Sequence, residues 1–230
     1  MTFTIDSCII IAIANQFDQH HNKSKALFMK RADNLVILIT VITEAIETYI
    51  EKFNRASDDI IGILGRISES PDFVNVFEQE FEKIVSSKTK RSIANFYKYV
   101  YALIEDYIRD KNFKELSDIL RNHSYELATM ISERVNSLKK VEEVILPDES
   151  TAPDREQVES IISAMNFPKG ADRSSFIVLC VYAKDREVDY ITTDGKYYLK
   201  MVQALNLIRK TFNTGLFPQY LTDLYIASLQ

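Results

Sequence analysis

The chain has 230 residues, of which 46% are hydrophobic and 27% are charged, and its formal net charge is −5. This composition excludes wholesale disorder, and the net negative charge does not by itself indicate a nucleic-acid binder. With only five glycines and five prolines, the sequence favours long helices over an all-β sandwich, which needs many turns.

The apolar runs and the cysteines predict the cellular setting. The longest runs, Cys8–Ala14 and Leu35–Ile42, are far shorter than the roughly 20 residues that span a bilayer, so we expect no membrane span and no signal peptide. Cys8 and Cys180 lie in apolar runs like small core hydrophobes. We therefore expect a reduced, cytoplasmic protein, although a disulfide between the two stays open.

The first part of the chain alternates strands and helices. β-branched runs predict the strands, and LVILIT is typical of a strand buried on both faces. The predicted elements are a strand at Thr2–Ile5, a helix from Ser7 through Asn15, a weakly amphipathic helix at His20–Arg31, a strand at Leu35–Thr40 and a helix at Ala45–Phe53.

From residue 52 to 140 the pattern is purely helical and nearly neutral in charge. In SIANFYKYVYALIEDYI, apolar residues recur every three or four positions, which is the period of an amphipathic helix. Further helices are predicted at Ile60–Ile67, at Phe73–Val85 and from Leu116 to Leu138.

The last part of the chain returns to alternation. The predicted elements are a strand at Val141–Leu146, a helix from Pro153 or Asp154 to Ala164, a strand at Asp189–Thr193, a helix at Tyr198–Ile208 and a final strand and helix. The apolar run Phe176–Ala183 suits a strand or a buried helix equally well.

This order predicts an α/β domain formed by residues 1–51 and 141–230, with a parallel sheet covered by helices on both faces. Residues 52–140 are predicted to be an all-helical insertion in that domain, because strand–helix alternation resumes after them.

Four acidic residues follow predicted strands or begin helices. Asp6 and Asp194 end strands, Glu44 comes just after the second strand, and Asp172 starts a helix. Sites in open α/β sheets form at the carboxyl ends of the strands, so these side chains are expected to converge there. Taken singly, the three aspartates are ordinary residues for helix caps or turns, and Glu44 is favoured by the helix dipole. Their joint placement is what favours a site.

Four converging carboxylates repel one another unless a cation lies between them. Mg²⁺ and Mn²⁺ prefer carboxylate oxygens, and such ions activate water for phosphodiester hydrolysis. The adjacent His20 and His21 are a weaker metal candidate, because neighbouring residues on a helix point apart.

Three segments together resemble the PIN-domain family of metal-dependent ribonucleases. TFTIDSCIIIAIANQFDQHHNKSKALF resembles the first strand, its Asp and the following helices of that family. LVILITVITEAIETYI resembles the second strand and the helix that carries the Glu, and GADRSSFIVLCVYAKDREVDYITTDGKYY resembles the last Asp–helix–strand–Thr-x-Asp signature.

The resemblance implies an endoribonuclease that uses Mg²⁺ or Mn²⁺ and whose run Phe176–Ala183 is helical. The acidic cluster it implies is Asp6, Glu44, Asp172 and Asp194, with Ser7 and Thr192 orienting carboxylates or water around them. It also implies an RNA substrate, and the basic and aromatic segment described next suits a single strand. The helical stretch 52–140 departs from compact members of the family, so the sequence does not decide whether the chain is part of a toxin–antitoxin pair.

A basic and aromatic segment, KIVSSKTKRSIANFYKYVY, is the candidate nucleic-acid grip. Lys88, Lys90 and Arg91 could contact phosphates, and the alternative is a helix start with solvated cations and core aromatics. Two other functions stay open: a non-catalytic PIN-like module that binds RNA or a protein partner through the helical insertion, and a structure-specific deoxyribonuclease. The sequence does not indicate the oligomeric state.

Overall fold

The computed structural model describes residues 2–31, 34–67, 69–136, 142–144 and 152–227. The chain divides into two compact units. The sheet unit comprises Met1–Ile11, Asn22–Ala45 and Val135–Gln230, and the helical unit comprises Ala12–His21 and Ile46–Arg134. The helical unit spans most of the predicted insertion at 52–140; that the stretch is an insertion stays a prediction.

The strands are short, and every pairing between them is parallel. They are β1 (Thr2–Ile5), β2 (Val36–Leu38), β3 (Glu142–Val144), β4 (Val188–Thr192) and β5 (Leu216–Tyr220). One sheet has the order β1-β4-β5 and a second pairs β2 with β3. A single parallel bridge joins Phe3 of β1 to Leu35, just before β2. The predicted mixed α/β class with parallel strands is therefore confirmed.

The register of the first sheet aligns the strand ends. Ile5 pairs with Ile191, and the amide of Asp6 donates to the Ile191 carbonyl at 3.0 Å. Thr192 pairs in turn with Tyr220. Residues that follow β1 and β4 therefore leave the sheet at the same end.

Helices connect the strands of the sheet unit. Among the described residues, the helical unit contains helices and no strands. They are α1 (Ser7–Ala14), α2 (His21–Arg31), α3 (Ile39–Ile67), α4 (Phe73–Ser87), α5 (Arg91–Arg109), α6 (Phe113–Asn136), α7 (Ala152–Ser163), α8 (Ala171–Tyr182), α9 (Gly195–Thr211) and α10 (Leu221–Ala227). None of the described helices is long and apolar enough to cross a membrane.

The segment around LVILIT differs from its sequence-based assignment. The predicted strand Leu35–Thr40 ends at Leu38, because α3 begins at Ile39. The predicted helices at Ala45–Phe53 and Ile60–Ile67 are one continuous helix, α3. Buried Tyr49, Phe53, Ala56 and Ile60 follow each other at intervals of three or four, so the apolar stripe runs unbroken across the polar residues between the two segments.

Other boundaries shift by a few residues. The run Phe176–Ala183 is helical, within α8 and its C-cap. The helix predicted at Tyr198–Ile208 begins three residues earlier, at Gly195, because Asp194 caps it. Of the predicted strand Val141–Leu146, only Glu142–Val144 lies within the described residues.

Gly215 is required by a close backbone approach before β5. Its amide donates to the Ala183 carbonyl at 2.7 Å, and its own carbonyl accepts from Val188 at 3.0 Å. A Cβ atom there would lie 1.5 Å from the Arg186 carbonyl oxygen. Only glycine fits at this position, because its backbone lies directly against the turn that joins α8 to β4.

Candidate functional site

Asp6, which directly follows β1, is a buried carboxylate with several donors. Only 6% of the surface of this residue is exposed to solvent. Oδ1 accepts from the Ser7 amide at 2.8 Å, and Oδ2 accepts from the Thr192 hydroxyl at 2.6 Å and from Cys8 Sγ at 3.0 Å. These hydrogen bonds compensate for the loss of water around the carboxylate, as a buried polar group requires.

Thr192 ends β4 and lies fully buried beside Asp6. While its hydroxyl donates to Asp6, the same oxygen accepts from the amide of Asp194 at 2.9 Å. One hydroxyl thus fixes the side chain at the end of β1 and the backbone that leaves β4.

Asp194 is the N-cap of α9. Its Oδ1 accepts from the amides of Lys196 at 2.8 Å and Tyr197 at 2.9 Å, which satisfies two of the free donors at the helix start. Among the described residues no hydrogen bond reaches Oδ2. The residue is therefore a helix cap, as its position in the sequence also allowed, with one oxygen left for another partner.

Glu44 and Ser7 lie together although they are 37 positions apart. The Ser7 hydroxyl donates to Glu44 Oε1 at 3.0 Å. Ser7 is the first residue of α1 and its own amide contacts Asp6. This pair links the start of α1 to the first turns of α3.

Asp172 is the second residue of α8, and its side chain does not cap that helix. The N-cap is Gly170, with φ of 76°. Burial, then the negative charges of Asp6 and Asp194, raises the pKa of the Asp172 carboxyl to about 6. The electrostatic influence of both aspartates on Asp172 means that carboxylates from three separate segments share one neighbourhood.

Three residues around these acids carry no signal that the sequence analysis used. Cys8, expected to be a plain core residue, instead donates to Asp6 and accepts from the Thr193 amide at 3.3 Å. Burial and the charge of Asp6 raise the pKa of the Cys8 thiol, so it stays a protonated donor. Cys8 and Cys180 are both free thiols.

The other two residues are tyrosines. Tyr197 donates its hydroxyl to the Asp172 carbonyl at 3.0 Å. Tyr190 is buried, and its hydroxyl has no hydrogen-bond partner among the described residues. Burial and then the charge of Asp6 raise the pKa of both phenols. Tyr190 lies two positions before Thr192, on the same face of β4, and this alternation is the one sequence signal that could have identified it.

Asp172 and Asp194 also line a groove of about 490 Å³. One side of this groove is the start of α9, and the other is the turn between α7 and α8. These two carboxylates are therefore next to a space that can hold a ligand.

The chemistry of the donor set fits a hard divalent cation, since all four acidic side chains offer oxygen ligands. Their spacing is not that of a closed ligand set. Among the described residues, no group of three or more His, Cys, Asp or Glu side chains is arranged to hold a metal ion. Cys8 and Thr192 both donate to Oδ2 of Asp6, whereas Oδ1 accepts the Ser7 amide and has a second lone pair for a cation.

The candidate nucleic-acid-binding residues Lys88, Lys90 and Arg91 lie in the helical unit. Their surroundings differ. Lys88 forms an ion pair with Asp59 at 3.0 Å and lies 4.5 Å above the ring of Tyr97. Lys90 is the N-cap of α5 and Arg91 its first residue, and both are exposed. Lys88 thus has a structural partner, whereas Lys90 and Arg91 face solvent.

No family model matches this chain, and no curated protein or solved structure matches it either. The resemblance to the PIN family stays a prediction that rests on the motifs themselves.

Proposed function

We propose that this protein is a divalent-metal-dependent endoribonuclease with a PIN-like sheet unit, and that it acts in the cytoplasm. The observation that carries the proposal is that the Thr192 hydroxyl contacts both the Asp6 carboxylate, at 2.6 Å, and the Asp194 amide, at 2.9 Å. Burial, then the charges of Asp6 and Asp194, raise the pKa of nearby Asp172 to about 6. A cation relieves the repulsion between such carboxylates.

In this proposal Asp6, Asp172 and Asp194 hold Mg²⁺ or Mn²⁺, and Glu44 completes the acidic shell. The ion, when bound, supplies charge stabilisation and a nucleophilic water for phosphodiester hydrolysis. Thr192 orients Asp6 through its 2.6 Å hydrogen bond, and Ser7 orients Glu44. The capping bonds to Oδ1 of Asp194 fix that side chain, and Oδ2 is the oxygen that would bind the ion.

A substrate panel tests the proposal. The purified chain is incubated with labelled RNA that contains single-stranded and duplex parts, and with DNA of the same sequence, in Mn²⁺, in Mg²⁺ or in chelator. We expect internal cleavage of the single-stranded RNA with either metal and none with chelator. Preferential cleavage of the DNA would favour the deoxyribonuclease alternative, and cleavage that survives the chelator would contradict the metal-dependent reaction.

A second candidate function is partner binding by the helical unit, without catalysis. It is favoured by a groove of about 650 Å³ between α4 and α5. Phe81 and Tyr101 line it with rings stacked at 4.9 Å. Three glutamates and one lysine also line it: Glu78, Glu82, Glu105 and Lys98. The glutamates outnumber the lysine, and aromatic rings lie beside them. Both features suit a basic peptide segment.

Fluorescence anisotropy with a labelled arginine-rich peptide tests this second function. We expect salt-dependent binding that Glu78→Gln with Glu82→Gln weakens, and that Glu69→Gln with Glu133→Gln, which removes two exposed charges outside this groove, does not. Equal binding by both double variants would exclude this groove as the partner site.

A further inference from the structure

From the groove beside Asp172 and Asp194, we infer that single-stranded RNA binds along the start of α9, with its phosphates on Lys196 and Lys200 and a base on Leu199. This inference rests on the proposed function, because it takes the substrate of that reaction as the occupant. It places these contacts on α9 in the sheet unit, and Lys90 and Arg91 in the helical unit stay a separate candidate contact.

Four of the five α9 residues that line the groove form one stripe of the helix, and the fifth, Tyr197, lines it from the buried side. Lys196, Leu199, Lys200 and Gln203 follow each other at intervals of three, one and three, so they lie on one face. The opposite face of α9 is buried in the core by Tyr197, Met201, Ala204, Leu205 and Ile208. Packing alone therefore does not explain the composition of the outer stripe.

The two lysines of this stripe are available to a ligand. Within the part of the chain that the structure describes, neither ammonium group forms an ion pair or hydrogen bond with a side chain. They are one helical turn apart, about 6 Å along the axis, which lets them contact successive phosphates of one extended strand. Lys184, by contrast, is already held by Asp154 at 2.9 Å.

Leu199 lies between the two lysines and is 61% exposed. An exposed large aliphatic side chain inside a charged stripe is a surface on which the flat face of an unstacked base can pack. Asn166 and Gln203 line the groove as well, and their amides offer both donors and acceptors to base edges or to a 2′-hydroxyl.

The groove has room for part of one strand. About 490 Å³ is within the range of pockets that hold one small molecule, which corresponds to a nucleotide or two. A base can pack its flat face on Leu199 only when it is unstacked, as in a single strand. The lysines lie next to Asp172 and Asp194, so a strand held there presents a phosphodiester to the proposed reactive centre.

Binding is measured in chelator, so that the result does not depend on cleavage. Anisotropy is recorded with a labelled RNA strand of about 12 nucleotides, over a salt range of about 50 to 200 mM. The test variant is Lys196→Ala with Lys200→Ala. Its matched control, Lys25→Ala with Lys210→Ala, removes two exposed lysines that do not line the groove and changes the net charge equally.

We expect the test variant to bind at least tenfold more weakly than the control and to reduce the slope of log K against log salt by about 1.4, since each single-strand phosphate contact contributes about 0.7. Leu199→Ala should weaken binding about threefold to tenfold without changing that slope, and Leu199→Phe should strengthen it, because an aromatic ring stacks better on a base. Duplex RNA should bind at least tenfold more weakly than the single strand.

The inference is overturned if the lysine variant and its control show the same slope, or if duplex RNA or single-stranded DNA binds more tightly than single-stranded RNA. The two proposals fail separately. Groove-dependent binding without metal-dependent cleavage would contradict the nuclease and keep this site. Metal-dependent cleavage together with RNA binding that does not depend on Lys196 and Lys200 would contradict this site and keep the nuclease.

Discussion

The hydroxyl of Thr192 donates to Asp6 Oδ2 at 2.6 Å and accepts from the amide of Asp194 at 2.9 Å. Thr192 is the last residue of β4, and Asp6 directly follows β1. Because the two strands are parallel and paired in register, this one oxygen connects the two aspartates that the proposed reaction needs. The integrity of the site therefore depends on a buried side chain that is not itself acidic.

Replacing that hydroxyl tests its role. Thr192→Val keeps the shape of the side chain but removes a donor from a buried carboxylate and an acceptor from the Asp194 amide. We expect a loss of about 1–3 kcal/mol in the free energy of unfolding, measured in urea, together with a large loss of cleavage. Thr192→Ser keeps the hydroxyl and should retain cleavage at a cost of about 1 kcal/mol for the lost methyl group. Similar cleavage rates for both variants would mean that the hydrogen bond does not organise the site.

The raised pKa of Asp172 predicts a dependence of stability on pH. The folded protein holds this proton up to a pH of about 6, whereas the unfolded chain releases it near the ordinary value of 3.8. Between these two values the native state binds more protons, so the contribution of this group to stability falls as the pH rises, and the loss is complete above about pH 6. Asp172→Asn should therefore be more stable than the wild type at neutral pH, and equally stable below about pH 4.

The expected size of this difference is modest, because Asp172 is only half-buried and solvent screens its charge. About 1 kcal/mol corresponds to roughly 2–4 °C in melting temperature for a chain of this length. The Asn variant removes no cap, since the side chain of Asp172 does not cap α8. Thermal melts in chelator and in Mn²⁺ complete the test, because metal should stabilise the wild type more than the variant. Equal metal-induced shifts would contradict a ligand role for Asp172.

Sequence patterns predicted the strand and helix order of the sheet unit, because period, turn residues and strand ends are local signals. They also placed the four acids near strand ends and helix starts, and the role of those acids stays a prediction. They did not identify the contacts of Cys8, which comes near Thr193 only because β1 pairs with β4. The continuity of α3 was missed for a related reason. The polar residues between the two predicted helices look like a break when the sequence is read alone. The helix is continuous because residues on one stripe, such as Tyr49 and Ile60, are buried.

The basic segment separates into a structural and an exposed part. The pKa of Asp59 is lowered, since hydrogen bonds from Tyr97 and Lys88 outweigh the opposing effect of burial. Lys88→Ala is therefore expected to reduce stability by about 0.5 kcal/mol and to leave the salt dependence of RNA binding unchanged.

Lys90→Ala with Arg91→Ala should do the opposite if these residues form a second phosphate contact. Stability should be unchanged, and the salt slope of RNA binding should fall by about 1.4. The measurement is the same anisotropy titration, run beside urea unfolding of each variant. An unaltered slope in the double variant would leave both side chains as solvated surface residues.

The proposed metal-dependent cleavage depends most directly on Asp194. The decisive measurement is the single-turnover rate of RNA cleavage in Mn²⁺ for the wild type, for Asp194→Asn and for Asp185→Asn. Asparagine also caps helices, so the first variant keeps α9 while losing the charge. The second removes an exposed charge before β4, at the other end of that strand. We predict that Asp194→Asn lowers the rate by at least a hundredfold and that Asp185→Asn leaves it unchanged. Equal rates for the two variants would contradict the proposed reaction.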